Sequence, residues 1–271
     1  MGRFEQTGPW SGRVPAMRGT SDQARRLTLV RGYLNYLRAF MPETEVPSQG
    51  LLAGDRRRKP FLFSPQQVQQ LLAKAASMRP PDSLRAHARH VLLGLLASTG
   101  LRVGEALRLH TNDVYLDATP PHLAVRKTKF GKSRLVPVHA STAARLHDYA
   151  EHRRRVRGEE AGIFLVSEAG PMSGHTIQTW LRRTARRLGI CVTDGGRHPC
   201  LHSLRHGFAV ARIVAWHETG VDVRAMMPHL STYLGHISPA ESYWYLTATE
   251  ELLSGAADAF ARYTSQQGGD V

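Results

Sequence analysis

Apolar residues recur every three or four positions along most of this chain and alternate in only two short stretches, residues 123–126 and 134–138. A period near 3.6 marks one face of a helix, and a period of two marks one face of a strand. That imbalance limits the chain to a mainly α fold with a small β-sheet or hairpin, an α+β arrangement. The helix punctuation agrees. Ser64-Pro65-Gln66-Gln67 supplies an N-cap serine, a proline for the first turn and a glutamine three residues on to close a capping box. The helix it opens carries Val68, Leu71, Leu72 and Ala75 and runs to Pro80-Pro81. A second helix covers about residues 84–99 and stops at Gly100, the residue type that most easily adopts the left-handed turn ending a helix. Further helices are predicted at about residues 142–155, 175–188, 202–215, 239–245 and 250–263. The two alternating stretches flank residues 127–133, which contain Gly131 and read as the basic tip of a hairpin.

The beginning of the chain has a different character. Residues 1–20 are rich in Gly, Pro, Arg and Ser without apolar period and read as disordered, as does the Gln/Gly tail after Tyr263. Residues 21–40 form a helix with Leu27, Val30, Leu34 and Leu37 along one face, ended by Pro42 and Pro47 and followed by an exposed basic linker. One helix cannot bury its own apolar stripe, so this piece reads as incomplete. The expected division is residues 1–57, a disordered start with a short helical remnant and linker, and residues 58–271, the main domain.

The chain carries 36 Lys and Arg against 22 Asp and Glu, a formal charge of +14 that points to a polyanionic partner. Only Lys59, Lys74, Lys127, Lys129 and Lys132 are lysines, and the remaining basic residues are arginines. The planar guanidinium meets two phosphate oxygens at once, which suits phosphate recognition, although a GC-rich genome gives the same bias. An apolar content of 42% with 21% charged residues is ordinary for a globular protein and excludes a collagen-like or wholly disordered chain. The longest apolar run, residues 91–97, falls far short of the roughly 18 residues a membrane helix needs. With no signal-peptide pattern at Met1-Gly2-Arg3-Phe4-Glu5 and only Cys191 and Cys200, the expectation is a cytoplasmic protein without disulfides, not associated with membrane.

Four segments carry the chemistry. Arg102 follows the helix-ending Gly100, where a side chain can leave the helical body and enter a cleft. The hairpin tip presents Lys127, Lys129 and Lys132, able to set an ammonium beside a phosphate or simply to be solvated. In Leu201-His202-Ser203-Leu204-Arg205-His206, a spacing of three puts His202 and Arg205 on one helix face. Finally, Leu234-Gly235-His236 precedes Tyr243-Trp244-Tyr245. His206, His217 and His229 match no metal-ligand spacing and read as helix-surface or core residues.

The ordered set Arg102, Lys129, His202-x-x-Arg205, Leu-Gly-His236 and Tyr245 resembles the catalytic signature of the tyrosine recombinases, the phage integrase family, over about residues 61–263. The resemblance implies a site-specific DNA recombinase or integrase serving integration or excision of a mobile element. Tyr245 would attack the scissile phosphodiester, giving a 3′-phosphotyrosine and a free 5′-hydroxyl. Arg102 and Arg205 would clamp the non-bridging oxygens, Lys129 would protonate the departing 5′-oxygen, and His202 would take the proton of the tyrosine. His236 would donate a hydrogen bond to the phosphate, and Glu105 would orient its neighbours. Nine residues separate His236 from Tyr245, which matches the family interval; Tyr243 is the alternative nucleophile and otherwise, with Trp244, core packing. Lys132 is the alternative to Lys129.

The division of labour is physically coherent. A phenol with pKa near 10 is a weak nucleophile at neutral pH unless cations favour the phenolate. Two arginines, a lysine and two histidines around one phosphate supply that field and stabilise transition-state charge, so no metal or other cofactor is expected. The phosphotyrosine ester conserves the energy of the broken bond, so rejoining needs no ATP. The implied partners are double-stranded DNA, further copies of the chain as a homo-tetramer on two DNA sites exchanging the helix at residues 250–263, and accessory DNA-bending proteins. Family members begin with a helical core-binding domain that completes a clamp on DNA. Only residues 21–40 match its last part, so a truncated clamp with weaker, more salt-sensitive function is expected. Two other readings remain open: a DNA-binding protein with an inactive recombinase domain, and an enzyme like the type IB topoisomerases.

Overall fold

The computed structural model describes residues 21–52, 60–80, 82–126, 133–159, 161–191, 198–236, 242–243 and 245–246. Contacts within the chain divide it into two units, Met1–Arg58 and Lys59–Val271. In the first, α1 (Ser21–Arg38) is opened by Asp22 in its first turn. Leu27, Leu34 and Leu37 are half-buried, whereas Tyr33 and Tyr36 are more than half exposed. Val30, the fourth residue of the predicted stripe, is 49% exposed.

The second unit is built around one helix. α2 (Pro65–Ala76) starts with the expected capping box: Gln67 N–H donates to Ser64 Oγ, and Ser64 N–H donates to the Gln67 side chain. α3 (Leu84–Thr99) buries residues on every face, from Leu84 and Ala88 through Leu92, Leu93, Leu95 and Leu96, which is the signature of a central helix rather than a surface one. It ends at Gly100 with φ +63, and a Cβ there would meet Phe208 Cδ1 at 2.5 Å, so glycine serves both the turn and the close approach. A single turn, α4 (Val103–Ala106), follows.

Next comes an antiparallel sheet of β1 (Val114–Tyr115), β2 (His122–Val125) and β3 (Arg134–Pro137), in that spatial order. Val125 pairs with Arg134 and Leu123 with Val136; Val136 is buried while Leu135 is exposed, as a half-buried strand requires. The hairpin tip, with Lys127, Lys129 and Lys132, lies outside the described residues. α5 (Ala140–Arg157), a two-stranded ribbon of β4 (Val166–Ser167) and β5 (Gly170–Pro171), α6 (Gly174–Arg187), α7 (Leu201–Glu218) and α8 (Val223–Leu234) complete the described fold. α3 packs against α2, α5 and α7, and Leu71, Leu92, Leu96, Leu123, Leu146, Leu181 and Leu204 join one apolar core.

A second cluster gathers Ile213, Met227, Leu230 and Leu234 with Tyr245 between α7 and α8. The fold is thus mainly helical with small antiparallel sheets, as the periodicities require. α8 escapes the sequence reading because Pro228 sits inside it. A proline there cannot donate to the carbonyl four residues back, and it ordinarily ends a helix. The Asp222 side chain offsets this loss by accepting from the N–H groups of Arg224 and Ala225. Of the predicted helix at residues 239–245, Ser242, Tyr243 and Tyr245 are helical, as is Leu246 just beyond it, and the rest lies outside the described residues, as does all of 250–263. No helix among the described residues is long and apolar enough to cross a membrane.

Candidate active site

The site is organised by the end of α8. A helix leaves its last carbonyls without intrahelical donors and concentrates partial negative charge there. Three arginines from three other parts of the chain meet these carbonyls. Arg134 Nε donates to Tyr233 O at 2.8 Å, Arg205 Nη2 to Leu234 O at 2.9 Å, and Arg102 Nη2 to Gly235 O at 2.9 Å. Gly235 ends α8 with φ +68, and a Cβ on it would come within 2.6 Å of Arg134 Nη1. Cation and carbonyl dipole hold the loop after α3, the first residue of β3 and the first turns of α7 at one point.

A buried carboxylate ties two of these arginines together. Glu105, 5% exposed, accepts from the Arg102 backbone N–H and from Arg102 Nη1, both at 3.0 Å. It also accepts from Arg134 through two contacts, Nη1 to Oε1 at 3.3 Å and Nη2 to Oε2 at 2.9 Å. Burial alone would raise this carboxyl's pKa; the hydrogen bond and charge of Arg134, then Arg102, outweigh it and hold the pKa below the usual range. Arg205, 1% exposed, also donates to Gly100 O at 2.7 Å, so it spans the ends of α3 and α8. Burial, then the neighbouring Arg102 cation, lowers its pKa to about 10, which leaves it charged at neutral pH.

The predicted nucleophile and both predicted histidines lie beside this cluster. Tyr245 is 2% exposed and close enough to Arg205 for its charge to act on the guanidinium. The Tyr245 and His236 rings lie nearly parallel, 12° between planes and 6.3 Å between centroids. His236 has its pKa pushed down to about 3 by burial first and then by Arg205 and Arg102, so its imidazole is neutral at physiological pH. Its Nδ1 is 2.7 Å from Ser242 Oγ, and a serine hydroxyl donating there leaves the proton on Nε2. His206 Nδ1 lies 2.9 Å from the Tyr245 hydroxyl. His202, exposed on the same helix, meets His206 edge-on with ring centroids 4.4 Å apart.

Arg102, Arg205, His202, His236 and Tyr245 are therefore brought into one neighbourhood, and Lys129 lies outside the described residues. Sequence reasoning missed His206, Arg134 and Ser242. His206 carries a usable signal, four residues after His202 and hence on the same helix face. Arg134 and Ser242 carry none until the fold joins them to distant partners. Tyr243, expected in the core, is 44% exposed. Among the described residues no group of three His, Cys, Asp or Glu is gathered to hold a metal ion.

Comparison with known proteins agrees with this geometry. The family model of the phage integrase family matches residues 62–251. The chain is 38% identical over 254 residues, covering 91% of this chain and 80% of its relative, to y4rB of Sinorhizobium fredii, an integrase/recombinase by name. It is 32% identical to the tyrosine recombinase XerD of Mycobacterium tuberculosis, over 85% of this chain and 70% of that protein. Among solved structures, the site-specific recombinase XerH bound to its palindromic difH substrate after cleavage superposes with a TM-score of 0.59, covering 89% of this chain and 72% of that one. Its 17% identity speaks for the shared fold. A family match across most of the chain, together with relatives similar over nearly its whole length, makes this protein a member of the phage integrase family.

Proposed function

We propose that the chain is a site-specific DNA recombinase that breaks and rejoins strands through a 3′-phosphotyrosine, moving a mobile element into or out of DNA. The observation that carries this reading is a buried tyrosine lying beside a neutral imidazole and a doubly anchored arginine. Tyr245 is the nucleophile. Arg102 and Arg205 bind the non-bridging phosphate oxygens and stabilise the charge that builds up in the pentavalent transition state, from a scaffold already fixed before DNA arrives. His236, neutral, offers Nε2–H to one of those oxygens. Lys129 protonates the 5′-oxygen as it leaves, and His202 lies on the exposed side of α7 to assist proton transfer.

XerH, similar in fold, is bound to its palindromic difH substrate, and the Tn1549 transposon integrase, similar in fold as well, is in complex with transposon right end DNA, which supports duplex DNA as substrate here. We further propose that residues 58–271 form the catalytic domain and that the preceding helical segment contributes to the grip on DNA. The active assembly would be a tetramer on two sites that exchanges residues 250–263, with DNA-bending proteins assisting. The test uses a duplex captured by the unsubstituted protein from a randomised library and remade as a nicked suicide substrate. A covalent protein–DNA adduct is expected, reduced about 10²- to 10³-fold in Arg102→Ala and Arg205→Ala. Binding without adduct from the unsubstituted protein would favour an inactive DNA-binding domain. Relaxation of supercoils without need of a defined site would favour a topoisomerase.

A further inference from the structure

We infer that His206 is a catalytic residue that receives the phenolic proton of Tyr245, with His202 acting on the phosphate side. This deepens the recombinase reading and rests on Tyr245 being the nucleophile. Three observations carry it. His206 Nδ1 lies 2.9 Å from the Tyr245 hydroxyl, inside hydrogen-bond range before any DNA is bound. The two rings are tilted by 57° with centroids 5.5 Å apart, so they do not stack face to face. His202 is exposed one turn earlier on α7, whereas His206 is half-buried beneath it, beside the arginine that spans Gly100 and Leu234. One helix therefore offers an outer imidazole to the substrate side and an inner one to the phenol.

The step balances without further reactants. The Tyr245 O–H bond breaks and its proton moves to His206 Nδ1, Nε2 already carrying the other ring proton. The phenolic oxygen bonds to phosphorus, the bond from phosphorus to the 5′-oxygen breaks, and that oxygen takes a proton from Lys129. In rejoining, the protonated His206 returns its proton to Tyr245 as the phosphotyrosine ester is displaced.

Two substitutions and two substrates test this. His206→Ala removes the ring. His206→Asn keeps a hydrogen-bond acceptor near the position of Nδ1 but takes up no proton near neutrality. Adduct formation in single turnover at saturating DNA is expected to fall about 10²- to 10⁴-fold in both, with the dissociation constant for the same duplex unchanged within about twofold. A duplex with sulfur replacing the bridging 5′-oxygen releases a thiolate, which needs no acid because thiols ionise near pH 8.5. That substrate is expected to restore Lys129→Ala and to leave both His206 variants slow. An Asn variant as fast as the unsubstituted protein would assign His206 a merely structural hydrogen bond and overturn the inference. Restoration of the His206 variants by the sulfur substrate would place the residue at the leaving group and overturn it equally. If the unsubstituted protein forms no adduct on any duplex, the recombinase reading fails first, an outcome distinct from adduct that His206→Asn leaves undiminished.

Discussion

Glu105 and Arg134, 29 residues apart in sequence, face each other through two contacts of 3.3 and 2.9 Å, with the Glu105 side chain 3% exposed and that of Arg134 13%. This pair joins the turn after α3 to the root of the hairpin, and through Arg102 it reaches the end of α8. Removing the carboxylate leaves two guanidinium groups without their shared counter-charge. Glu105→Ala is therefore expected to lose about 3–5 kcal/mol of stability, measured by urea unfolding. Glu105→Gln, which keeps the shape and one acceptor oxygen, should lose less while still slowing adduct formation.

Gly235→Ala tests the close approach at the end of α8. The backbone there has φ +68, and an added Cβ would come 2.6 Å from Arg134 Nη1 and 2.9 Å from its Cζ. The left-handed conformation alone costs a non-glycine residue about 1–2 kcal/mol. A lower melting temperature is expected, with a loss of adduct formation larger than that of a similarly destabilised surface variant, because Arg134 must move. An alanine variant with unchanged melting temperature would show that the guanidinium yields freely.

Much of this was legible in the sequence, and the limits are physical. The capping box at Ser64 and the stop at Gly100 are local signals, so the start of α2 and both ends of α3 are read within a residue or two, whereas α2 stops at Ala76, short of the Pro80-Pro81 expected to end it. The alternation of β2 and β3 is likewise local, and it locates the hairpin although its tip lies outside the described residues. α8 was hidden because Pro228 breaks the local pattern, and a side-chain cap at Asp222 offsets the missing donor. The resemblance implied Arg102 and Arg205 at one phosphate, but their pairing with the carbonyls that end α8, and the part of Arg134, could not be read. Arg134 and Tyr233 are 99 residues apart, and Arg205 and Gly100 are 105 apart, and no periodicity reports such pairings. For the same reason His206, whose Nδ1 lies 2.9 Å from the hydroxyl of Tyr245, 39 residues away, was not read as part of the site.

His236 supplies a pH dependence whose sign is fixed by its environment. Its pKa is lowered from 6.5 to about 3 by burial and by Arg205 and Arg102, so the unfolded chain binds the proton more readily than the folded one. Stability should be complete above about pH 6.5 and fall as pH drops from there toward 3. His236→Asn should flatten the fall of melting temperature across that window. A variant with the same slope as the unsubstituted protein would remove His236 as a contributor.

Arg205→Lys separates charge from geometry. The lysine keeps a positive charge but cannot bridge Gly100 O and Leu234 O with a planar fork, as Arg205 does at 2.7 and 2.9 Å. The expected outcome is a folded but less stable protein whose adduct formation falls about 10²-fold or more, with DNA affinity less affected.

Protease digestion of the trapped protein–DNA complex, followed by mass spectrometry of the nucleotide-bearing peptide, tests the central claim most directly. The account predicts a 3′-linked nucleotide on Tyr245, the tyrosine that is 2% exposed beside His206 and His236, and no adduct in Tyr245→Phe. A nucleotide on Tyr243, or adduct that persists in Tyr245→Phe, would contradict it.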